Sequence, residues 1–211
     1  MPRGHDVGPG RHAPDMEPVA RADVDELGMG KRPATYADLE DLPPNMVGEI
    51  IAGELYTSPR PAVAHMVTSS LLGFELTGPF QKGRGGPGGW IIADEPELHL
   101  GGNVLIPDLA GWRRERHPKL PRGKALTIAP DWLCEILSPS TEARDRADKL
   151  PAYAREGIRH VWLVDPELRT LEVFRLEGPH YVLLTTFVGD GRVRAEPFDA
   201  VELELKAIWE E

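Results

Sequence analysis

The sequence has little of what would place it in several large classes of proteins. Its 211 residues contain one cysteine, Cys134, which excludes an internal disulfide framework and suits a reducing compartment. No apolar run approaches the length of a membrane-spanning helix, and the N-terminus has no apolar core of a secretion signal. We therefore expect a cytoplasmic protein that has no contact with a membrane.

Positive charge is also scarce. Lys and Arg number 24 against 34 Asp and Glu, which gives a formal net charge of −10. Such an acidic chain is not a general binder of polyanions, although a local basic groove is compatible with it. The Gly-rich segment 78–89 contains no GxxxxGK[ST] pattern, so it does not predict a phosphate-binding loop for nucleotides.

The chain divides into a tail and one domain. Residues 1–32 are rich in Gly, Pro and charge and have no apolar periodicity, so we expect a disordered tail. Residues 33–211 have the length of a single domain with a substantial core. Their patterns predict helices at 35–42, 61–77 and 203–209, a hairpin at 47–57 that turns at Ala52-Gly53, and strands at 90–100, 104–112, 170–176, 181–188 and 192–196.

Residues 131–166 predict the organising unit of the domain. Two apolar runs, at 132–137 and 160–164, flank a charged, Ala-rich segment that is typical of a helix. Strands that are separated by a helix usually lie parallel to each other. The later strands, from residue 170 onwards, predict an antiparallel meander, which we interpret as scaffold or as the surface of a homodimer.

Glu135 is an unexpected residue in a strand that is predicted to be buried. By alternation it shares a face with Leu133 and Leu137, and a carboxylate there is costly unless it is paired or binds a cation. The strand at 104–112 carries another lone carboxylate, Asp108. If the two strands are neighbours, the two carboxylates suit Mg²⁺, which takes one or two carboxylates and keeps waters. The alternative is two unrelated carboxylates at a solvent edge.

Other polar features are open to a functional and a structural interpretation. Residues 113–124 hold six basic residues and one acidic residue, which suits either contacts with a phosphate backbone or a solvated loop. Glu49, in the hairpin, and His65, near a helix start, are by themselves typical of surface residues.

The helix after Pro139 carries Arg146, Lys149 and Tyr153 away from its apolar stripe. This set is either a solvated surface or a cation directed at the strand ends. Pro151 predicts that the helix kinks there, or that it breaks and restarts with the proline in its first turn.

Taken together, these segments resemble a known family. GEIIAGEL, a histidine at the next helix start, IPDL and CEILSPST-x3-DR-x2-K-x3-Y-x3-GI-x3-WLVDP are similar to the Uma-two family of restriction endonuclease-like proteins, a branch of the PD-(D/E)XK nuclease superfamily. The resemblance covers residues 36–209. It implies an α/β (α+β) fold with a restriction-endonuclease-like core, in which a mixed β-sheet is flanked by helices.

The resemblance also implies one metal-dependent active site. Asp108 matches the PD motif and Glu135 the acidic residue of (D/E)XK, so the two would hold Mg²⁺ (or Mn²⁺). The backbone carbonyl of Ile136 and the carboxylate of Glu49 are further candidate ligands.

The motif's lysine is expected at position 137, where this chain has Leu137. The resemblance implies that Lys149, from the following helix, replaces it as the charge stabiliser. His65 and Tyr153 match recurring polar positions near the site, and Glu95 and Arg146 are candidate outer groups.

The resemblance implies an endonuclease that hydrolyses DNA phosphodiester bonds. The acidic total charge and Pro151 support an alternative, a catalytically inactive nuclease-fold module that binds DNA or a protein partner. A metal-dependent hydrolase of another phosphoester would use the same residues.

Overall fold

The computed structural model describes residues 32–209, and the tail predicted at 1–32 lies, except for Arg32, outside them. The helices α1 to α5 are Tyr36–Glu40, Val63–Leu76, Glu142–Arg144, Leu150–Arg155 and Lys206–Trp209. The strands β1 to β12 are Met46–Ile51, Glu54–Pro59, Trp90–Asp94, Leu98–Leu100, Asn103–Leu105, Leu109–Arg113, Trp132–Ile136, His160–Asp165, Thr170–Glu177, His180–Val188, Arg192–Val193 and Leu203–Glu204. Two π-helical segments are Thr77–Gln81 and Asp145–Lys149. In this described part, no helix has both the length and the apolar character needed to cross a bilayer.

A six-stranded sheet in the order β10-β9-β8-β7-β6-β3 forms the centre of the molecule. Strands β7 and β8 pair in parallel, with Trp132 opposite His160, and the other pairs of this sheet are antiparallel. The sheet is therefore mixed, which confirms the expected α+β fold and the parallel pair predicted around residues 131–166. A second sheet has the order β2-β1-β5-β4, and β11 pairs with β12.

Strand β7 separates two apolar clusters, as its alternation predicts. Trp132, Cys134 and Ile136 belong to a cluster in which the Trp132 ring lies 5.2 Å from Trp162 and 4.9 Å from Phe198. Leu133 and Leu137 belong to the cluster on the other face, which helix α4 covers. Glu135 lies on that second face and is only 3% exposed.

The hairpin of β1 and β2 is confirmed, and its turn has a clear backbone cause. Ala52 and Gly53 both have positive φ values, 52° and 81°, as a two-residue turn between twisted antiparallel strands requires. Strand β1 leads into this turn, pairs antiparallel with β2 and brings Glu49 into the interior, where it is 5% exposed. The expectation that Glu49 is a solvated surface residue is therefore wrong.

The single strand predicted at 104–112 is wrong, because two strands occupy this range in different sheets. Strand β5 belongs to the four-stranded sheet and β6 to the six-stranded sheet. Pro107 lies between them and has no N–H to donate to a strand ladder, so the chain changes sheet there. Asp108 consequently lies just before β6 rather than within a strand.

The predicted third strand of the meander is also wrong in its pairing. Strand β11 pairs with β12 in a separate two-stranded sheet, while β9 and β10 form the antiparallel end of the central sheet. Gly189, with φ of 77°, turns the chain away from β10 before β11 begins. The homodimer surface on the meander stays a prediction.

Candidate active site

One cleft of about 850 Å³ is lined by both main sheets and by the segment that contains the two short helices α3 and α4. Most of the candidate site residues lie on its wall: Glu49, His65, Asp108, Glu135, Ile136 and Lys149. Tyr153 is fully buried behind Glu135. The fold thus gathers side chains that are up to 100 positions apart in the sequence, from 49 to 149.

An ion-pair cluster forms the floor of this cleft. The Nζ of Lys149 lies 2.7 Å from Glu135 Oε1, 3.0 Å from Glu49 Oε1 and 3.7 Å from Asp145 Oδ1. All four side chains are buried, with at most 7% of any of them exposed. A single ammonium group is therefore shared by three buried carboxylates.

The π-helical segment explains how Lys149 reaches the cluster. In a continuous α-helix, Pro151 would remove one hydrogen bond and clash with the preceding turn. Here Asp145–Lys149 is π-helical, and Pro151 falls in the first turn of α4, where its missing N–H needs no partner. The backbone stays in the right-handed helical region at Arg144, Lys149 and Leu150, so the predicted break of the helix at Pro151 does not occur. The helix changes instead from π-helical to α-helical just before the proline, and Lys149 lies on the side that faces the sheet.

Asp108 lies beside Glu135 across the junction of β6 and β7. Its Oδ2 accepts the backbone N–H of Ile136 at 2.6 Å, and its Oδ1 lies 3.3 Å from Nε2 of His65. Burial acts to lower the pKa of His65, but the hydrogen bond and charge of Asp108 outweigh it and the pKa is raised. The Nδ1 of His65 is buried and has no hydrogen-bond partner among residues 32–209.

Tyr153 fixes the orientation of Glu135. Its hydroxyl donates a short hydrogen bond to Glu135 Oε1, the same oxygen that contacts Lys149. Burial raises the pKa of Tyr153 well above its usual value, and the charge of Glu135 raises it further. The phenol is therefore a protonated donor at neutral pH, and Glu135 Oε2 lies outside both contacts.

Carboxyl groups outnumber cations in this cluster. Burial raises the pKa of Glu135 well above its usual value, and the charges of Asp145, Asp108 and Glu49 add to that effect, whereas Lys149 opposes it. For Lys149, burial lowers the pKa, but the neighbouring carboxylates outweigh burial and the net direction is upwards. Lys149 is therefore charged at neutral pH, and the carboxylates around it outnumber it.

The donor set fits a magnesium ion better than a closed metal site. Within the described range 32–209, no group of three or more His, Cys, Asp and Glu side chains is arranged to hold an ion. Mg²⁺ needs fewer protein ligands, because it commonly binds one or two carboxylates and keeps its waters. Asp108 and Glu135 satisfy this, whereas Glu49 Oε1 accepts the N–H of Ile106 at 2.8 Å in addition to contacting Lys149.

Two charged residues beside the ion-pair cluster, Arg144 and Asp145, were given no role from the sequence. Asp145 is 3% exposed, and its pKa is raised by burial despite the opposing charge of Lys149. The available signals were its place in the quoted segment CEILSPST-x3-DR-x2-K and its spacing of four residues from Lys149. Arg144 had no signal in the sequence, because its position depends on the turn from α3 into the π-helix.

The basic segment 113–124 lines the cleft with Leu120, Pro121, Gly123 and Lys124, but not with its arginines. Arg113 lies over the Trp90 ring, Arg114 donates to the backbone carbonyl of Trp90, and Arg116 pairs with Asp131. These contacts favour the structural interpretation for the three arginines. Lys124 is the basic residue of this segment that lies on the cleft wall.

The two candidate outer groups differ in position. Glu95 lines the cleft, has a φ of 41° and donates its backbone N–H to the carbonyl of Asp108 at 3.0 Å. Positive φ in a residue other than glycine is uncommon and often occurs at functional sites. Arg146 instead forms ion pairs with Glu142 and Glu172 and does not line the cleft.

Comparison with known proteins adds to this geometry. The sequence model of the Uma2 family, described as "Putative restriction endonuclease", matches residues 33–207. A crystal structure described as a "putative nuclease belonging to DUF820" from Anabaena variabilis ATCC 29413 superposes with a TM-score of 0.66 and is 23% identical in sequence. The match covers 84% of this chain and 98% of that chain, and at this identity the likeness concerns the fold alone. No curated protein sequence matches significantly.

Proposed function

Because the chain belongs to the Uma2 family of restriction endonuclease-like proteins, we propose that it is a Mg²⁺-dependent endonuclease that hydrolyses DNA phosphodiester bonds. The observation that carries the proposal is the meeting of Glu135, Lys149 and Asp108 at the floor of one cleft. These residues come from separate elements, and the excess of buried carboxyl groups over cations beside them suits a divalent cation.

Asp108 and Glu135 are the residues that would hold the ion. When bound, Mg²⁺ or Mn²⁺ supplies a Lewis acid for the phosphate and lowers the pKa of a bound water. The other residues act on their own atoms. Tyr153 fixes Glu135 through its hydrogen bond, and His65 flanks Oδ1 of Asp108.

Lys149 is the proposed stabiliser of charge on the phosphate. Its ammonium group is charged and fixed by Glu49 at 3.0 Å and by Asp145 at 3.7 Å. A cation that is already in place needs no rearrangement when negative charge develops on the phosphate oxygens, which is the source of its catalytic effect. Glu49 serves this role by holding the lysine.

A second candidate function is favoured by one contact. Lys149 and Glu135 form a direct 2.7 Å ion pair, which neutralises the carboxylate without a metal ion. Such a pair is compatible with a catalytically inactive module that binds DNA or a protein partner through the same fold.

Nicking of supercoiled plasmid DNA tests the proposal. We expect the wild type to nick the plasmid with Mg²⁺ or Mn²⁺ and not in EDTA. We expect Glu135→Gln to lower the rate by at least about a hundredfold, because loss of a ligand weakens binding of the metal ion. Glu172→Gln is the matched control. It changes a carboxylate in the same sheet that pairs with Arg146 and lies outside the cleft.

Calorimetric titration with Mn²⁺ separates the two candidate functions. An isotherm that is present in the wild type and in Glu172→Gln, but lost in Glu135→Gln, supports the metal-dependent nuclease. Equal rates of nicking by Glu135→Gln and the wild type would contradict the role of Glu135 as a metal ligand. Retained DNA binding with neither metal binding nor nicking would favour the inactive module.

A further inference from the structure

We infer that Arg144 is a phosphate-binding residue, whose guanidinium takes a backbone phosphodiester group of the nucleic acid beside the ion-pair cluster. The inference rests on the proposed function, because it specifies how the same cleft would hold a polyanionic substrate.

Arg144 is the last residue of α3 and lies next to the ion-pair cluster. It directly precedes the π-helical segment that carries Asp145 and Lys149, and it lines the same cleft. Its side chain is only 11% exposed, and its guanidinium carbon lies 5.7 Å from the centre of the Tyr56 ring. The guanidinium is therefore held by surrounding groups rather than extended into solvent.

The hydrogen-bonding capacity of Arg144 is almost unused. Its Nε is buried and lacks a hydrogen-bond partner in the part of the chain from 32 to 209, and its nearest ion-pair contact is 4.0 Å, to Glu49 Oε2. A guanidinium has five N–H donors, and leaving a buried donor without an acceptor is costly. A ligand with several acceptor oxygens would accept from the terminal N–H groups of this guanidinium, whereas the Nε itself is closed to the cleft.

Charge in the cleft selects an anion for this position. Lys149, the proposed stabiliser of charge on the phosphate, also contacts three carboxylates, so it does not by itself offset the charge of an incoming phosphodiester group. A phosphodiester that approaches Glu135 and Asp108 therefore needs a second cation of the protein, besides Lys149, to offset its repulsion from these carboxylates. Arginine suits this task, because its planar donors match two phosphate oxygens at once.

Arg146 shows the opposite situation two residues further along. Its Nε donates to Glu142 at 2.9 Å and its guanidinium to Glu172 at 2.7 Å, so its donors are used within the protein. Its side chain is 37% exposed, and it lies outside the cleft. The two arginines have the same charge and are close in sequence, which makes Arg146 the matched control.

Binding of a short fluorescent DNA duplex, measured by anisotropy in EDTA at several salt concentrations, tests the inference without any cleavage. We expect Arg144→Gln to weaken binding about tenfold, because one charge-assisted contact is lost. The slope of affinity against salt should fall by about one phosphate contact. Arg144→Lys should recover part of the affinity, and Arg146→Gln should bind like the wild type.

Each outcome bears on the inference separately from the proposed nuclease. Equal affinity of Arg144→Gln and the wild type would overturn it even if plasmid is nicked, and so would an equal loss in Arg146→Gln or a wild type that binds no duplex. A selective loss in Arg144→Gln with no nicking by the wild type would support it while the proposed activity fails. Thermal unfolding of each variant identifies any that is misfolded, and Arg144→Lys then provides the test.

Discussion

The two ends of the parallel pair β7 and β8 differ in how their carboxylates are paired with cations. Where the strands begin, each carboxylate has its own partners: Asp131 accepts the N–H of Arg113 at 2.8 Å and pairs with Arg116. Glu196 lies 2.7 Å from His160 and 3.3 Å from Arg175. Charges at this end are balanced pair by pair, which is what a structural network requires.

Where the strands end, the balance is lost. Glu49, Glu135 and Asp145 share one ammonium group, that of Lys149, and Asp108 lies beside them. Carboxylates at one end of the sheet therefore each have their own basic partners, whereas those at this end share one. Excess buried charge costs stability, and clusters of this kind are characteristic of functional sites.

Removal of Lys149 should cause the largest loss of stability and of plasmid nicking. A small loss would contradict the difference between the two ends of the strands. Lys149→Met leaves three buried carboxylates without their cation, which costs about 3–5 kcal/mol in the free energy of unfolding. Proton uptake by the carboxylates would offset part of this cost. Chemical denaturation at neutral pH measures the change, and plasmid nicking should fall in parallel by at least about a hundredfold.

The double variant Glu135→Gln with Lys149→Met tests whether that loss comes from uncompensated charge. We expect the double variant to be more stable than Lys149→Met alone, because it removes one of the stranded carboxylates. If Lys149→Met is as stable as the wild type, Lys149 does not hold the cluster together.

Asp131→Asn should have a smaller effect and should be confined to stability. Asn keeps one acceptor oxygen, so the variant loses either the hydrogen bond from the Arg113 backbone or the contact with Arg116. Because Arg116 is half exposed, solvent screens its ion pair, and we expect a loss of roughly 1.5 kcal/mol. Denaturant unfolding measures this loss, and plasmid nicking should be unchanged.

A fall in nicking that exceeds the fraction of unfolded Asp131→Asn protein would contradict the comparison. It would mean that the two ends of the strands are coupled and that the balanced end also serves the cleft.

Much of this contrast follows from local sequence patterns. The apolar runs at 132–137 and 160–164 specify two adjacent strands, and alternation along the first one predicts that Glu135 faces the interior with Leu133 and Leu137. The neighbouring position of Asp108 was one of two alternatives that the apolar runs left open, and it was the family resemblance that implied a shared site. The strands and the orientation of Glu135 depend on residues that are close in sequence, or on the period of a strand.

The remaining features depend on contacts between distant segments. The local pattern around Glu49 is that of a surface residue in a hairpin. Its buried position depends on contacts with Ile106 and Lys149, which belong to two other segments of the chain. The π-helical segment forms where packing and Pro151 favour it, and no sequence pattern specified it. Pro107 was a local signal for the separation of β5 from β6. The apolar residues on both sides of it nevertheless favoured the prediction of a single strand.

The smallest expected effect concerns pH at the balanced end. Burial lowers the pKa of His160, and the charges of Arg159 and Arg113 lower it further, although Glu196 opposes them. The folded protein therefore binds a proton at His160 less readily than the unfolded chain, whose histidine has a pKa of about 6.5. It follows that this group reduces stability as the pH falls below about 6.5 towards the folded-state pKa.

His160→Gln isolates this contribution, because glutamine still donates to Glu196 but does not titrate. Burial acts to raise the pKa of Glu196, but its contacts with His160 and Arg175 outweigh burial and lower it, so this group loses its stabilising contribution only at more acidic pH. The raised pKa of Glu135 has the opposite sign, stabilising the fold on acidification, but it is present in both proteins and cancels in the difference. We therefore expect the unfolding temperature of His160→Gln to fall less than that of the wild type between about pH 7 and pH 5. Parallel curves would mean that His160 is equally protonated in the folded and unfolded protein, and that the balanced end is a charged pair rather than a neutral hydrogen bond.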